Sequence, residues 1–406
     1  MSGISSSICT QIMGSFLPIV ISKEDHSIGW SRFKRGATDP QLLAWTEKVL
    51  ESFRTLRQAV NKSKCLDLDE ELCSQQLVEL AKWGGRAYRK FFGNDARDLL
   101  VSRIQMMGAE IPAPTFISET VPFPWEVLYE GDDYREGDST MFWGLRYSPA
   151  RILTPCKDIS KHIMEQTLPS DMLFCLHHHL RLAHRREWPE IERLVRGTSQ
   201  DRFRLLGPLG GLTEIRDGEA LLEYLDQSSH NMVHFACHCQ QIDAGADALL
   251  VSLIEDDRIE SNPQVIQLGT YTFVDIEGHF QRHPLVFLNA CQSAGGADEL
   301  RETFNLPHVF IERGAAAVVA TACPVPDLFA AAFARRFYTF FLRGQEITDE
   351  ATGVTTSRPM TIGEALRETR WYFLERHNNP LCLAYGLYSP AYYHLAQPPA
   401  AGGVTC

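Results

Sequence analysis

Two apolar runs, each ending on a reactive residue, constrain this chain most. NMVHFACHCQ (residues 231–240) and HPLVFLNACQSAGG (residues 283–296) both read as buried strands that stop at a candidate base or nucleophile and enter a polar or glycine-bearing stretch. Strands apolar along their whole length belong in a parallel sheet covered by helices. In open α/β sheets, sites form at the carboxyl ends of the strands. Two neighbouring parallel strands can therefore set His238 and Cys291 side by side, although 53 positions separate them.

The rest of the pattern fits an α/β fold: a mostly parallel sheet with helices on both faces. Residues 15–22 read as a strand. Residues 39–60 and 70–92 carry helical spacing, the second run ending at Gly93. The two prolines of VPFPWEVL argue against a regular strand there, and MFWGLRYSPARIL reads as a strand between turns. Residues 172–183 (strand), 187–197 (helix), 207–211 (glycine-rich turn), 219–225 (helix) and 231–237 (strand) follow in the rhythm of a parallel sheet. Strands are expected at 249–254, 284–289, in AAAVVATA and in LCLAYGLY, and residues 272–280 are mixed. A helix over 327–343 closes at Gly344. A last helix begins at Thr361, paired with Glu364 as a capping box, and runs to His377. TDEATGVTTSRPMT reads as a mobile surface loop. These elements divide into an N-terminal extension or helical subdomain (1–60) and a main domain (61–400), itself split into an N-terminal part (61–165) and a site-bearing part (166–400).

Composition removes several functions. The net charge is −12, whereas a nucleic-acid binder needs a basic footprint, so no direct nucleic-acid binding is expected. No run reaches the roughly 18 apolar residues of a membrane span. SICTQIMGSFLPIVIS is broken by polar residues and does not read as a secretion signal. The 11 cysteines are odd in number and scattered, which argues against a disulfide framework and fits a reducing, cytoplasmic setting.

A thiol beside an imidazole has a specific chemistry. Histidine takes the thiol proton or stabilises the thiolate, then protonates a leaving amine. The developing oxyanion needs donors, and the backbone N–H groups of Cys239 and Cys291 are candidates. Ser293, Gly295 and Gly296 would let the chain turn after the nucleophile. A lone cysteine or histidine at a strand end is more often a packing residue; the two contexts together favour a pair. A metal site is the competing use of His234, Cys237, His238 and Cys239, with Cys175, His177, His178, His179 and His184 nearby in sequence. Strand alternation sends the two histidines of the first group to one face and the two cysteines to the other, so no metal and no organic cofactor is expected. GPLGGL lacks the lysine and hydroxyl of a phosphate-binding loop.

HFACH followed by LVFLNACQSAGG resembles the core signature of the CHAT family, caspase-like domains of the group that includes caspases, metacaspases, gingipains and separase. The histidine precedes the cysteine by the roughly 50 residues of a caspase. VPFPWEVL, FIERGAAAVVATACPVPD, FARRFYTFFLRG and IGEALRETR resemble further family blocks in order, so the likeness spans about residues 70–395. The resemblance implies a cysteine endopeptidase with His238 as general base and Cys291 as nucleophile, acting through a thioester. It implies that Asn289 lines the primary specificity pocket, with Asp243 and Asp247 able to add negative potential. Two positions depart from the family: Cys239 replaces the glycine after the histidine, and Cys323-Pro324 stand where a tryptophan is common, reshaping a substrate pocket. The family further implies a protein substrate, an activating sensor or regulatory partner, and a setting in bacterial defence or signalling. Two alternatives stay open. One is a catalytically weak interaction module. The other is a zymogen cut or ordered at 198–212, 255–270 or 345–360.

Overall fold

The computed structural model describes residues 16–20, 26–27, 32–33, 40–92, 113–117, 123–152, 171–198, 203–206, 215–243, 246–254, 263–292, 299–348 and 355–389. The turns expected at 207–211 and at Ser293, Gly295 and Gly296 lie outside these residues.

Helix α1 (Pro40–Ser63) starts with proline, whose missing N–H costs nothing in the first turn. Leu42, Val49, Leu50, Phe53, Leu56 and Val60 form its buried stripe. Helix α2 (Glu70–Phe91) is capped by Asp69, which accepts from the N–H groups of Glu71 and Leu72. It packs so tightly on the turn at Trp125–Val127 that a Cβ on Gly84 would stand 1.9 Å from the Val127 carbonyl oxygen. The boundary at residue 60 falls inside α1, whose buried stripe belongs to the same core as α2 and the sheet.

Among the described residues, eleven strands make one sheet. Its path runs β1 (Phe16–Val20), β4 (Ala113–Ile117), β5 (Ala150–Ile152), β15 (Tyr385–Tyr388), β12 (Ala317–Thr321), β11 (Leu285–Gln292), β8 (Met232–Asp243), β6 (Met172–Leu176), β9 (Ala246–Ser252), β10 (Val265–Gly269). Strand β7 (Phe203–Leu205) pairs with β6. Pairings are parallel from β1 through β4 and β5 to β15, and again across β12, β11, β8 and β6. They are antiparallel where β15 meets β12 and where β9 meets β6, β8 and β10. The fold is therefore α/β with a mostly parallel sheet, as the alternation of elements predicts. Two short pairs stand apart: β2 (His26–Ser27) with β3 (Arg32–Phe33), and β13 (Gln345–Thr348) with β14 (Thr355–Arg358).

Helices cover both faces. α1, α2, α3 (Trp143–Arg146), α4 (Trp188–Thr198), α8 (Asp327–Arg343) and α9 (Ile362–His377) bury one core against the sheet; α5 (Gly218–Gln227), α6 (Thr270–Asp275) and α7 (Glu299–Glu312) bury the other. Alternation along β8 is plain: Met232 and Ala236 join the first core, Val233, Phe235 and Cys237 the second. Helix α8 ends at Gly344, whose φ of +73° suits glycine. The capping box of α9 is formed, Thr361 Oγ1 accepting from Glu364 N–H at 3.1 Å and Glu364 Oε2 from Thr361 N–H at 2.8 Å.

Several local expectations differ from the structure, among them the strand expected over 172–183, which ends at Leu176. MFWGLRYSPARIL forms a 3-10 turn, helix α3 and only the short strand β5, because the Trp143 and Leu145 side chains are buried by helical turns instead of by strand pleats. Of the stretch read as a surface loop, 348 and 355–358 belong to the paired strands β13 and β14, and Thr361 caps α9. Residues 380–384 are a 3-10 turn, leaving 385–388 as the strand.

A buried ion network ties the N-terminal half of the sheet to α9. Arg151 of β5 bonds one oxygen of Glu126, and Arg370 of α9 stands 3.7 Å from the other. Arg370 also donates to the carbonyls of Gly144 (3.1 Å) and Tyr385 (2.7 Å).

Candidate active site

Strand β8 is where the sheet changes neighbours. On one edge it pairs with β11 from Met232 to Cys239. On the other it pairs with parallel β6 only as far as Ala236, and from His238 onward with antiparallel β9. The polar run after His238, expected to leave the sheet, continues as strand to Asp243, because β9 supplies the ladder partners that β6 no longer does. His238 thus sits at the switch of partner, where open α/β sheets place their crevices.

In register with β8, Cys291 is the residue opposite His238, and Gln292 is opposite Cys239. Neighbouring strands lie about 4.8 Å apart, so the two positions expected to react are neighbours across one strand gap.

A histidine-rich loop fills the space beyond β6. His177 N–H donates to the Ala236 carbonyl at 2.9 Å, adding one rung past the end of β6. Its ring meets that of His238 edge-on, with centroids 4.7 Å apart. Burial, helped by the charges of His238, His178 and His179, lowers the His177 pKa to about 4. The ring beside His238 is therefore neutral near neutral pH and accepts from His179 N–H at Nδ1, 3.3 Å away. His178 is fixed by Ser252: the hydroxyl oxygen accepts from His178 N–H (3.0 Å) and lies 2.7 Å from Nδ1. Burial, then His179 and His238, lowers the His178 pKa as well.

The loop is anchored from across the strand ends. Asp327, the first residue of α8, accepts from Leu182 N–H at 3.3 Å, where the helical segment after the histidines begins. Burial, with the charge of Glu187 nearby, raises the Asp327 pKa to about 6.

Beneath the paired positions lies a polar network that the sequence reading did not find. Glu187 closes the π-helical turn Ala183–Glu187, in which Trp188 N–H bonds the Ala183 carbonyl. Its Oε1 receives His234 Nε2 at 2.8 Å and Asn289 Nδ2 at 2.6 Å. Tyr385 donates to Asn289 Oδ1 at 2.7 Å, and the Tyr338 hydroxyl lies 3.2 Å from His234 Nδ1. A signal was present: Glu187 falls at helical spacing from Ile191, Leu194 and Val195, so a carboxylate occupies the apolar face of α4.

The expected pocket residues are dispersed. Asn289 is 2% exposed with both ends of its amide bonded internally, so in this structure it supports the site from below. Cys239, packed against the second core, and Cys323, buried in the first, are brought together. With Leu288, Ala290, Leu306, Ala320, Thr321 and Pro324 they line a cavity of about 30 Å³, room for a water-sized guest. The backbone of Asp243 pairs with Ala246 at a bulge ending β8; its side chain lies outside the described residues. Asp247 is fully buried, with its N–H bonded to Thr270 Oγ1 at 3.3 Å, so it presents no charge to solvent. Among the described residues, no helix is long and apolar enough to cross a membrane.

Residues 191–378 match the family described as the CHAT domain. A curated protein from a Vitiosangium species, named "Probable protease", is 29% identical over 197 residues, 48% of this chain and 23% of that protein. The match thus spans under a quarter of that relative's length. Among solved structures, the Arg-specific cysteine proteinase gingipain R is similar with a TM-score of 0.44 and 10% identity, over 95% of this chain and 79% of that one. The complex of the Porphyromonas gingivalis RgpB pro- and mature domains gives 0.44 and 9%, over 94% and 80%.

Proposed function

We propose that this chain, whose residues 191–378 match the CHAT domain of the caspase-like group, is a cysteine endopeptidase with Cys291 as nucleophile and His238 as base. The observation that carries the reading is the register. Among the described residues, these two are the cysteine–histidine pair that stands opposite on β11 and β8, where β8 exchanges β6 for β9.

The chemistry proceeds in two halves. His238 takes the thiol proton, and the thiolate adds to the scissile carbonyl carbon. Backbone N–H groups at Cys239 and Cys291 receive the oxyanion. Collapse expels the amine, which takes the proton from His238 and leaves a thioester on Cys291. Water, deprotonated by His238, then adds to the thioester. The acid departs and the thiol is restored. No step calls for a metal or organic cofactor. The His177 ring that meets His238 edge-on is neutral near neutral pH, so it brings no fixed charge against the proposed base.

The finer reading is of a regulated enzyme in a bacterial defence or signalling system, with a protein substrate and an activating sensor. Its support is the resemblance to CHAT proteins, in which partners switch on limited proteolysis. The specificity pocket is assigned to the space beside His238 and Cys291, with Asn289 supporting it from below, and the protein to the cytoplasm.

The test is covalent capture. The chain, alone and with candidate partner proteins, is treated with peptidyl electrophiles and mapped by mass spectrometry. An adduct on Cys291 that is lost in His238→Ala and Cys291→Ala is the expected result. A Cys291 that stays unlabelled under every condition while surface cysteines react would overturn the reading in favour of an interaction module.

A further inference from the structure

We infer that Glu187 is a positioning residue that locks β11 against β8 in the one register that sets Cys291 opposite His238; the inference rests on the peptidase reading above. Glu187 belongs to neither strand. It reaches the sheet from the π-helical turn before α4 and holds both strands through a single oxygen, receiving His234 of β8 at 2.8 Å and Asn289 of β11 at 2.6 Å.

These two donors are four residues before His238 and two before Cys291. They are staggered, since His234 lies opposite Phe287 and Asn289 opposite Ala236. Slipping one strand by one residue moves Asn289 about 3.3 Å and turns its side chain to the other face. Slipping by two doubles the displacement. Neither leaves both bonds intact. The oxygen is therefore satisfied twice only in the register that pairs Cys291 with His238.

The remaining partners remove slack. Tyr385 of β15 donates to Asn289 Oδ1, and Tyr338 of α8 reaches His234 Nδ1. All five side chains are essentially buried, so water offers no replacement for a lost partner. The segment bearing Glu187 is itself pinned at its start by Asp327 from the far side of β11. The arrangement joins β8, β11 and β15 beneath the reacting ends, and π-helical turns of this kind recur at functional sites.

The experiment uses the full chain and iodoacetamide, a probe that needs no substrate pocket. Alkylation of Cys291 is followed across pH by mass spectrometry in wild type, His238→Ala, Glu187→Gln and the swap Glu187→Gln/Asn289→Asp. Glutamine keeps an oxygen for the two donors but removes its charge, which weakens both charge-assisted bonds about twofold. The swap restores the pairing: the new amide would accept from His234 and donate to the new carboxylate on β11, which still accepts from Tyr385. The expected result is that Glu187→Gln slows alkylation at neutral pH by about 10- to 100-fold, with its pH midpoint moved up toward an ordinary thiol near 8.5, and that the swap restores the wild-type profile. A change that only weakened the fold would lower the melting temperature and leave the profile of the folded protein in place. A folded Glu187→Gln with wild-type rate and profile overturns the inference and leaves the peptidase reading standing. If the single variant does not fold, a folded swap decides: wild-type reactivity supports the inference, ordinary thiol reactivity overturns it. A wild-type rate indifferent to His238→Ala overturns the peptidase reading itself.

Discussion

Tyr385 belongs to two buried polar networks that are built in opposite ways. Its carbonyl receives Arg370, which with Arg151 surrounds the carboxylate of Glu126. Its hydroxyl donates to Asn289, which with His234 converges on Glu187. The first network is ionic: two guanidiniums and one carboxylate, all 2% exposed or less. The second gathers an imidazole, an amide and two phenols around one carboxyl oxygen, below the strand ends that carry His238 and Cys291. Removing a member of the first strands a charge in the core. Removing a member of the second chiefly loses direction. One should govern whether the chain folds, the other how the site is held.

The largest effect expected from that contrast is on stability. Glu126→Ala leaves Arg151 and Arg370 buried without their shared carboxylate and should cost about 3–5 kcal/mol, read from the shift in urea midpoint. A loss below about 1 kcal/mol would erase the distinction between the networks.

Next come two groups at the rim whose titrations oppose each other. Asp327 has a raised pKa, about 6. Its contribution to stability is present below the ordinary carboxylate value and is lost as pH rises through about 6. His177 has a lowered pKa, about 4. Its contribution is present above the ordinary imidazole value and is lost as pH falls through about 4. Between those limits, wild type should lose stability with rising pH relative to Asp327→Asn and gain it relative to His177→Gln, each by on the order of 1–3 kcal/mol. Urea midpoints from about pH 4 to 7 check the signs; two curves sloping the same way would refute the assignment.

The smallest change sharpens the role of the shared tyrosine. Tyr385→Phe keeps the ring stacked on Phe333, with centroids 3.7 Å apart, and keeps the carbonyl for Arg370. It leaves Asn289 Oδ1 without its donor, for about 1–3 kcal/mol and a several-fold slower alkylation of Cys291. Equal slowing by Glu126→Ala, measured on folded protein, would mean that the two networks act as one.

What the sequence made legible follows from range. Helix α8 and the capping box of α9 were readable because spacing, cap and glycine stop lie within a few residues of each other. The strands ending at His238 and Cys291 were readable because both are apolar on both faces. Their adjacency came from the resemblance and from the rule for parallel sheets. The β8 extension was missed because QQID is polar, and only the distant β9 makes it a strand. The Glu187 network was missed for a related reason: its members come from five separate segments. The resemblance implies a pocket role for Asn289; nothing nearby in the chain reveals that Tyr385 and Glu187 hold the two ends of its amide.

Strand β15 is latest in sequence among the described strands, yet it lies in the middle of the sheet, between β5 and β12. During synthesis, β12, β11, β8 and β6 can assemble while β1, β4 and β5 wait as a separate edge. The two halves join only when residues 385–388 arrive, and with them the hydroxyl that finishes the support under Cys291. Until then each half exposes an open strand edge of the kind that invites mispairing. A nascent or truncated chain ending at residue 378 therefore holds every residue of the proposed dyad and lacks the strand that makes them one sheet.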